Sequence, residues 1–116
     1  MQNDPLGPAG FLGDVLNELA KTIDARVGAD PSSSWTAKLL MGGPALTAKK
    51  LGEEGVEAAL AVASQGDKEV AAEAADLLYH LLVALRSRGV PLDTVAKALE
   101  ARQGQSGIAE KSGRAS

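Results

Sequence analysis

The chain has no cysteine. Disulfides, thiolate zinc sites, iron–sulfur clusters and a cysteine nucleophile are therefore excluded. Aromatic residues number three, Phe11, Trp35 and Tyr79, too few and too scattered for a base-stacking platform. The chain is also poor in the residues that favour strands. It holds 8 Val and 2 Ile against 21 Ala and 16 Leu. Strands prefer β-branched and aromatic side chains, and helices prefer Ala and Leu. The composition predicts an all-α protein and argues against a sandwich or barrel. Positive charge is not in excess: 12 Lys and Arg face 15 Asp and Glu, for a net charge of -3. That balance excludes a broad nucleic-acid footprint. Long apolar runs are missing too. The longest strongly apolar stretch is Leu81 to Leu85, far short of the roughly 20 residues that span a bilayer. The first ten residues are polar and hold Pro5 and Pro8, unlike the apolar segment of a signal peptide. The expectation is a soluble cytoplasmic protein without membrane or nucleic-acid partners. At 116 residues there is room for one domain.

Glycine and proline divide the chain. Residues 1–10 read as a flexible lead-in, 11–103 as a single all-α domain and 104–116 as a C-terminal tail. Leu12, Val15, Leu16, Leu19, Ile23 and Val27 recur at helical spacing between Phe11 and Val27, and Gly28 follows as a stop. Trp35 to Met41 predicts a short helix capped by Ser33 or Ser34. Pro44 to Gln65 predicts a second long helix with proline in its first turn. Lys68 to Arg88 predicts a third, with Asp67 as N-cap and Gly89 as stop. A last helix runs from Pro91 to about Gln103. The tight turn at Gly66-Asp67 makes the two central long helices antiparallel neighbours. The sum is a domain of four to five helices.

The central pair carries the informative residues. One helix holds Glu53, Glu54 and Glu57, and the next holds Glu73 and Asp76. Glu54 and Glu57 are three apart and share a helix side, as do Glu73 and Asp76. Antiparallel packing would set the two pairs across one groove. The acids interrupt otherwise apolar faces. The third long helix is apolar on Val70, Ala74, Leu77, Leu78, Leu81 and Leu85, with Glu73, Asp76 and His80 along the border. Glu57 falls four residues after Glu53, a like-charge pair. Carboxylates gathered on half-covered faces repel unless a cation joins them. An all-oxygen cluster suits Mg²⁺ or Mn²⁺. A lone Glu-x-x-Glu is also compatible with an ordinary solvated helix face, so a non-catalytic helical oligomerisation module stands as the alternative.

Glu54-x-x-Glu57, a spacer of 15 residues and Glu73-x-x-Asp76 resemble the metal motif of the all-α nucleotide pyrophosphatases, the MazG-like superfamily. Within it the chain is most similar to the phosphoribosyl-ATP pyrophosphatase family of histidine biosynthesis. Ser34-Trp35-Thr36-Ala37-Lys38-Leu39 is similar to that family's Ser-Tyr-Thr-x-x-Leu, and Lys49-Lys50-Leu51-Gly52-Glu53-Glu54 to its Lys-Lys-x-Gly-Glu-Glu. Glu73 to Val83 and Arg102-x-Gly104-x-Ser106-Gly107-Ile108-x-Glu110-Lys111 carry the narrower likeness. Trp35 stands where the family has Tyr, Gly55 lies between the acids, and Ile108 replaces Leu.

The resemblance implies a MazG-like fold and hydrolysis of phosphoribosyl-ATP to phosphoribosyl-AMP and pyrophosphate, by water attack at the α–β linkage. It implies Mg²⁺ on Glu54, Glu57, Glu73 and Asp76, with Glu53 as an outer ligand partner or water activator. Lys38, Lys49 and Lys50 become candidate phosphate contacts. His80, four residues after Asp76, is a candidate substrate contact or a support for Asp76. Trp35 and Tyr79 read as core or interface, with base stacking the alternative for Trp35. Ser106 and Gly107 read as a turn ending the last helix, with a phosphate-contacting turn the alternative. A nucleoside triphosphate pyrophosphatase with the same metal chemistry is the alternative within the enzyme class. The central helices are apolar on more than one side, which predicts a homodimer, assembled as a helical bundle through that pair.

Overall fold

A computed structural model describes Leu6, Gly7 and residues 10–103. The remaining lead-in residues and the tail from 104, with Ser106 and Gly107, lie outside the described residues. The described chain is all-helical, with α1 (Gly10–Ala25), α2 (Trp35–Met41), α3 (Gly43–Ser64), α4 (Asp67–Ser87) and α5 (Leu92–Arg102). No described helix is long and apolar enough to cross a membrane.

Packing is dominated by the α3–α4 pair, with α1 and α2 laid against it. Gln65 and Gly66 alone connect α3 to α4, which forces the chain to reverse. The reversal is pinned at the far end. The Thr47 hydroxyl, near the start of α3, lies 2.8 Å from the Ser87 hydroxyl at the end of α4. Ser87 donates to the Ala84 carbonyl at 2.7 Å, so its single proton is engaged. Thr47 is then the donor of the pair and divides its own proton between Ser87 and the Pro44 carbonyl at 3.3 Å. Thr47 is 2% exposed, so this bond is kept from water.

The core gathers Ile23 of α1, Leu39 of α2, and Leu82 and Val83 of α4, with Leu16, Leu19, Leu46, Tyr79 and Leu92 packed against it. The seven-residue α2 is too short to persist by itself. Three tethers hold it: burial of Ala37 and Leu39, acceptance of the Ala37 amide by the Ser34 side chain at 3.1 Å, and a 2.5 Å bond between Thr36 and Tyr79 hydroxyls. Gly42 is the single residue between α2 and α3. A Cβ there would stand 2.7 Å from the Leu46 Cβ, so glycine is required for the close joint. The end of α4 closes as sequence predicts, at Gly89. The Gly89 amide returns to the Arg86 carbonyl and the Val90 amide to the Leu85 carbonyl, with Gly89 at φ 69. These two bonds satisfy carbonyls that the helix end leaves open.

Two expectations change. Asp67 opens α4 as its first helical residue, and Gly66 in extended conformation is the N-cap, without a side-chain bond. Asp67 serves instead as an acidic residue of the first turn, where the helix dipole favours it. The inward face of α4 is also rotated. Leu82 and Val83 are buried, whereas Ala74 is exposed and Leu77, Leu78, Leu81 and Leu85 are half-buried. The apolar surface of α4 extends around the helix, and α1 and α2 choose the part covered within one chain.

Candidate active site

Glu54 sits near the middle of α3, and Glu73 and Asp76 lie in the first half of α4. The reversal at Gln65-Gly66 and the Thr47–Ser87 bond fix the register that sets them opposite. One carboxylate oxygen from each of Glu54, Glu73 and Asp76 lies within 4.8 Å of the others. Glu54 and Glu73 are half-buried and Asp76 is exposed. The site is thus open on one side, with its floor closed by the helix pair. Loss of hydration, followed by the charges of Asp76, Glu57 and Glu54, raises the Glu73 carboxyl above its ordinary pKa. Three of those causes are neighbouring acids, as expected where negative groups converge without a cation.

Glu57 is exposed and contributes to the field on Glu73, but it is not one of the three converging residues. Glu53 points to a different partner. It lies 3.5 Å from the Lys50 ammonium, three residues back along α3. Lys50 is drawn further to the Trp35 indole, with its Nζ 5.8 Å from the ring centre. The Lys38 Nζ sits at the same 5.8 Å from that ring. Two of the three candidate phosphate-binding lysines therefore share one aromatic side chain, while Lys49 is exposed.

His80 bonds the main chain of Asp76 rather than its carboxylate. Its Nδ1 lies 2.8 Å from the Asp76 main-chain oxygen. A carbonyl only accepts, so Nδ1 carries the proton and Nε2 is left for another partner. Its ring packs edge-on against Tyr79, centroids 4.9 Å apart. Tyr79 in turn bonds Thr36, so α2 is fastened to α4 one turn beyond Asp76. Sequence reasoning missed the Thr36–Tyr79 and Thr47–Ser87 bonds. Partners 43 and 40 residues apart leave no signal in periodicity. The Trp35–Lys38 pairing at i,i+3 was legible in principle from helical spacing.

Three oxygen donors converging from facing helices define an all-α site whose chemistry suits a hard divalent cation. The comparisons make the class specific. The phosphoribosyl-ATP pyrophosphohydrolase family model matches residues 16–103. A phosphoribosyl-ATP pyrophosphatase of Caulobacter vibrioides is 62% identical over 104 residues, covering 90% of this chain and 96% of the relative. One of Cereibacter sphaeroides is 60% identical over 101 residues, covering 86% and 97%. One of Ruegeria pomeroyi is 54% identical over 100 residues, covering 86% and 95%. The chain belongs to the phosphoribosyl-ATP pyrophosphohydrolase family.

Proposed function

We propose that this chain hydrolyses phosphoribosyl-ATP to phosphoribosyl-AMP and pyrophosphate, a step of histidine biosynthesis, with the α3–α4 carboxylates as its Mg²⁺-binding centre. The observation that carries the reading is the convergence of Glu54, Glu73 and Asp76 within 4.8 Å in a chain of this family. The donor set fits the ion: three hard oxygens, one open side for water and phosphate, and a surplus of negative charge that raises the Glu73 pKa. Glu57, which acts on Glu73 through its charge, stands ready as a fourth donor. When bound, Mg²⁺ polarises phosphate oxygens and neutralises charge on the departing pyrophosphate.

The remaining roles fall to the chain's own groups. Lys38 and Lys50 bind phosphate oxygens, and exposed Lys49 adds to the positive field. His80 offers Nε2 to the substrate. Glu53 accepts a proton from the water that attacks the α phosphorus. As the new P–O bond forms, the α–β anhydride bond breaks and its electrons leave on pyrophosphate. The enzyme works in the cytoplasm as a homodimer. Support for the dimer lies on α3, where Val56 and Leu60, one turn apart, are 60% and 53% exposed. Apolar side chains at that spacing suit a facing helix from a second copy.

The test is product analysis with purified protein, Mg²⁺ and phosphoribosyl-ATP, in competition with ordinary nucleoside triphosphates. Pyrophosphate and phosphoribosyl-AMP in equal amounts, with phosphoribosyl-ATP preferred, are expected. Orthophosphate as the primary product, or faster turnover of ordinary triphosphates, would overturn the reading.

A further inference from the structure

Trp35 is half exposed, and its ring is the meeting point of two cations. The Lys38 and Lys50 ammonium groups each stand 5.8 Å from the ring centre, inside the range at which an indole face attracts a cation. They come from different helices, α2 and α3, and both reach the same indole. Lys50 precedes Glu54 by four residues on α3, one helical turn or about 6 Å along the axis. The Lys50 backbone is therefore one turn from that of Glu54, on one of the two helices that carry the carboxylate centre. The indole itself is held on a helix with an N-cap at Ser34 and a bond from Thr36 to Tyr79.

We infer that Trp35 is a positioning residue that gathers Lys38 and Lys50 into one phosphate-binding pair for the substrate. Lysine is a flexible point charge that carries about 2 kcal/mol of rotamer entropy. Two free lysines would each lose that freedom on binding a polyphosphate. The indole restricts them beforehand, using attraction that needs no hydrogen-bond donor of their own. Their N–H groups stay available to anionic oxygens. Lys50 is steadied further by Glu53 at 3.5 Å. Phosphate arriving beside the pair competes with Glu53 for the Lys50 ammonium and so frees that carboxylate. The inference rests on the proposed phosphate role of Lys38 and Lys50 and adds to it the residue that arranges them.

The experiment uses pyrophosphate as the probe, because it carries phosphate but no base. Inhibition by pyrophosphate and KM for phosphoribosyl-ATP are measured for wild type, Trp35→Leu, Trp35→Phe and the paired Lys38→Met/Lys50→Met variant. Melting curves show each to be folded. Trp35→Leu is expected to weaken pyrophosphate inhibition about five-fold, consistent with the worth of exposed cation–π contacts. It should raise KM by a similar factor with kcat little changed. Trp35→Phe keeps an aromatic face and should recover most of the loss. Adding Trp35→Leu to the paired lysine variant should change nothing more. Should Trp35→Leu raise KM yet leave pyrophosphate inhibition untouched, the indole would be stacking on the base, and the inference is overturned. Should the paired lysine variant retain full pyrophosphate inhibition, the phosphate role of the lysines fails, and the inference with it. Loss in the lysine variant without loss in Trp35→Leu overturns the indole's role alone.

Discussion

Replacement of Leu39 by alanine tests whether α2 is anchored as the packing indicates. Leu39 has no exposed surface and meets Ile23, Leu82 and Val83, so it joins α2 to α1 and α4 at once. Removing a fully buried leucine side chain forfeits its transfer from water and leaves a cavity. Measured series place that loss near 3 kcal/mol, within a range of about 2.7–5.0. A domain of this size has a total stability of roughly 5–15 kcal/mol, so Leu39→Ala should remove a large share. At about 4–8 °C per kcal/mol for a small domain, the melting temperature should fall by roughly 12–24 °C. Urea denaturation and thermal melting provide the assay, with Met41→Ala as the comparison. Met41 is 70% exposed on the same helix and should cost less than about 0.5 kcal/mol. Because α2 carries Trp35 and Lys38, KM should rise at temperatures where Leu39→Ala is still mostly folded. A loss below about 1 kcal/mol would refute the reasoning, since Leu39 would then not be what ties α2 to the core.

Glu73→Gln should alter the pH response. The raised Glu73 pKa means that the folded protein holds this proton more tightly than the unfolded chain, so its contribution makes metal-free stability fall as pH rises from the ordinary value of 4.5 through the raised one. The variant should lack that fall, melt at or above wild type at neutral pH without metal, and gain less from Mg²⁺; parallel melting profiles for both proteins across the window would contradict this. Thr47→Val should cost about 1 kcal/mol by removing a buried donor, whereas Thr47→Val with Ser87→Ala should cost less than the sum of the two single changes, as a double-mutant cycle by urea denaturation will show. Gly55→Ala should stabilise α3 by about 0.8 kcal/mol, because a methyl group there meets nothing within 4 Å; a lowered urea midpoint would contradict that.

The helices were legible because their boundaries are written in glycine and proline and their interiors in alanine and leucine. The Trp35 to Met41 helix has its expected ends, and α3 begins and ends one residue from the expected bounds. The Asp67 cap was misplaced because an acidic residue satisfies both the cap and first-turn preferences, and only backbone geometry separates them. The covered face of α4 could not be chosen from its own sequence, since its apolar surface is broader than one neighbour. For the site, spacing was enough to bring Glu54, Glu73 and Asp76 together once the helices were antiparallel. Spacing could not rank Glu57 against Glu54, because both face the same side and only the packing of α3 in the folded chain leaves Glu54 half-buried and Glu57 exposed. Nor could it reveal that Lys38 and Lys50 meet at Trp35, which depends on how α2 leans across α3.

The two-residue link between α3 and α4 also bears on how the enzyme is made. Glu54 and Asp76 are drawn from one continuous stretch of chain, with Gln65-Gly66 at its midpoint. Closing a loop this short has a small entropic cost, and structures rich in such near-neighbour pairings form fast. The carboxylates should therefore come together as the hairpin zips from its turn, ahead of the docking of α1, whose Ile23 must find Leu82 and Val83 across a far longer separation. Mutual repulsion of the acids then acts as a brake on the earliest folding event rather than the last. On the proposed Mg²⁺ reading, a divalent cation present during refolding should relieve that brake and raise the refolding rate.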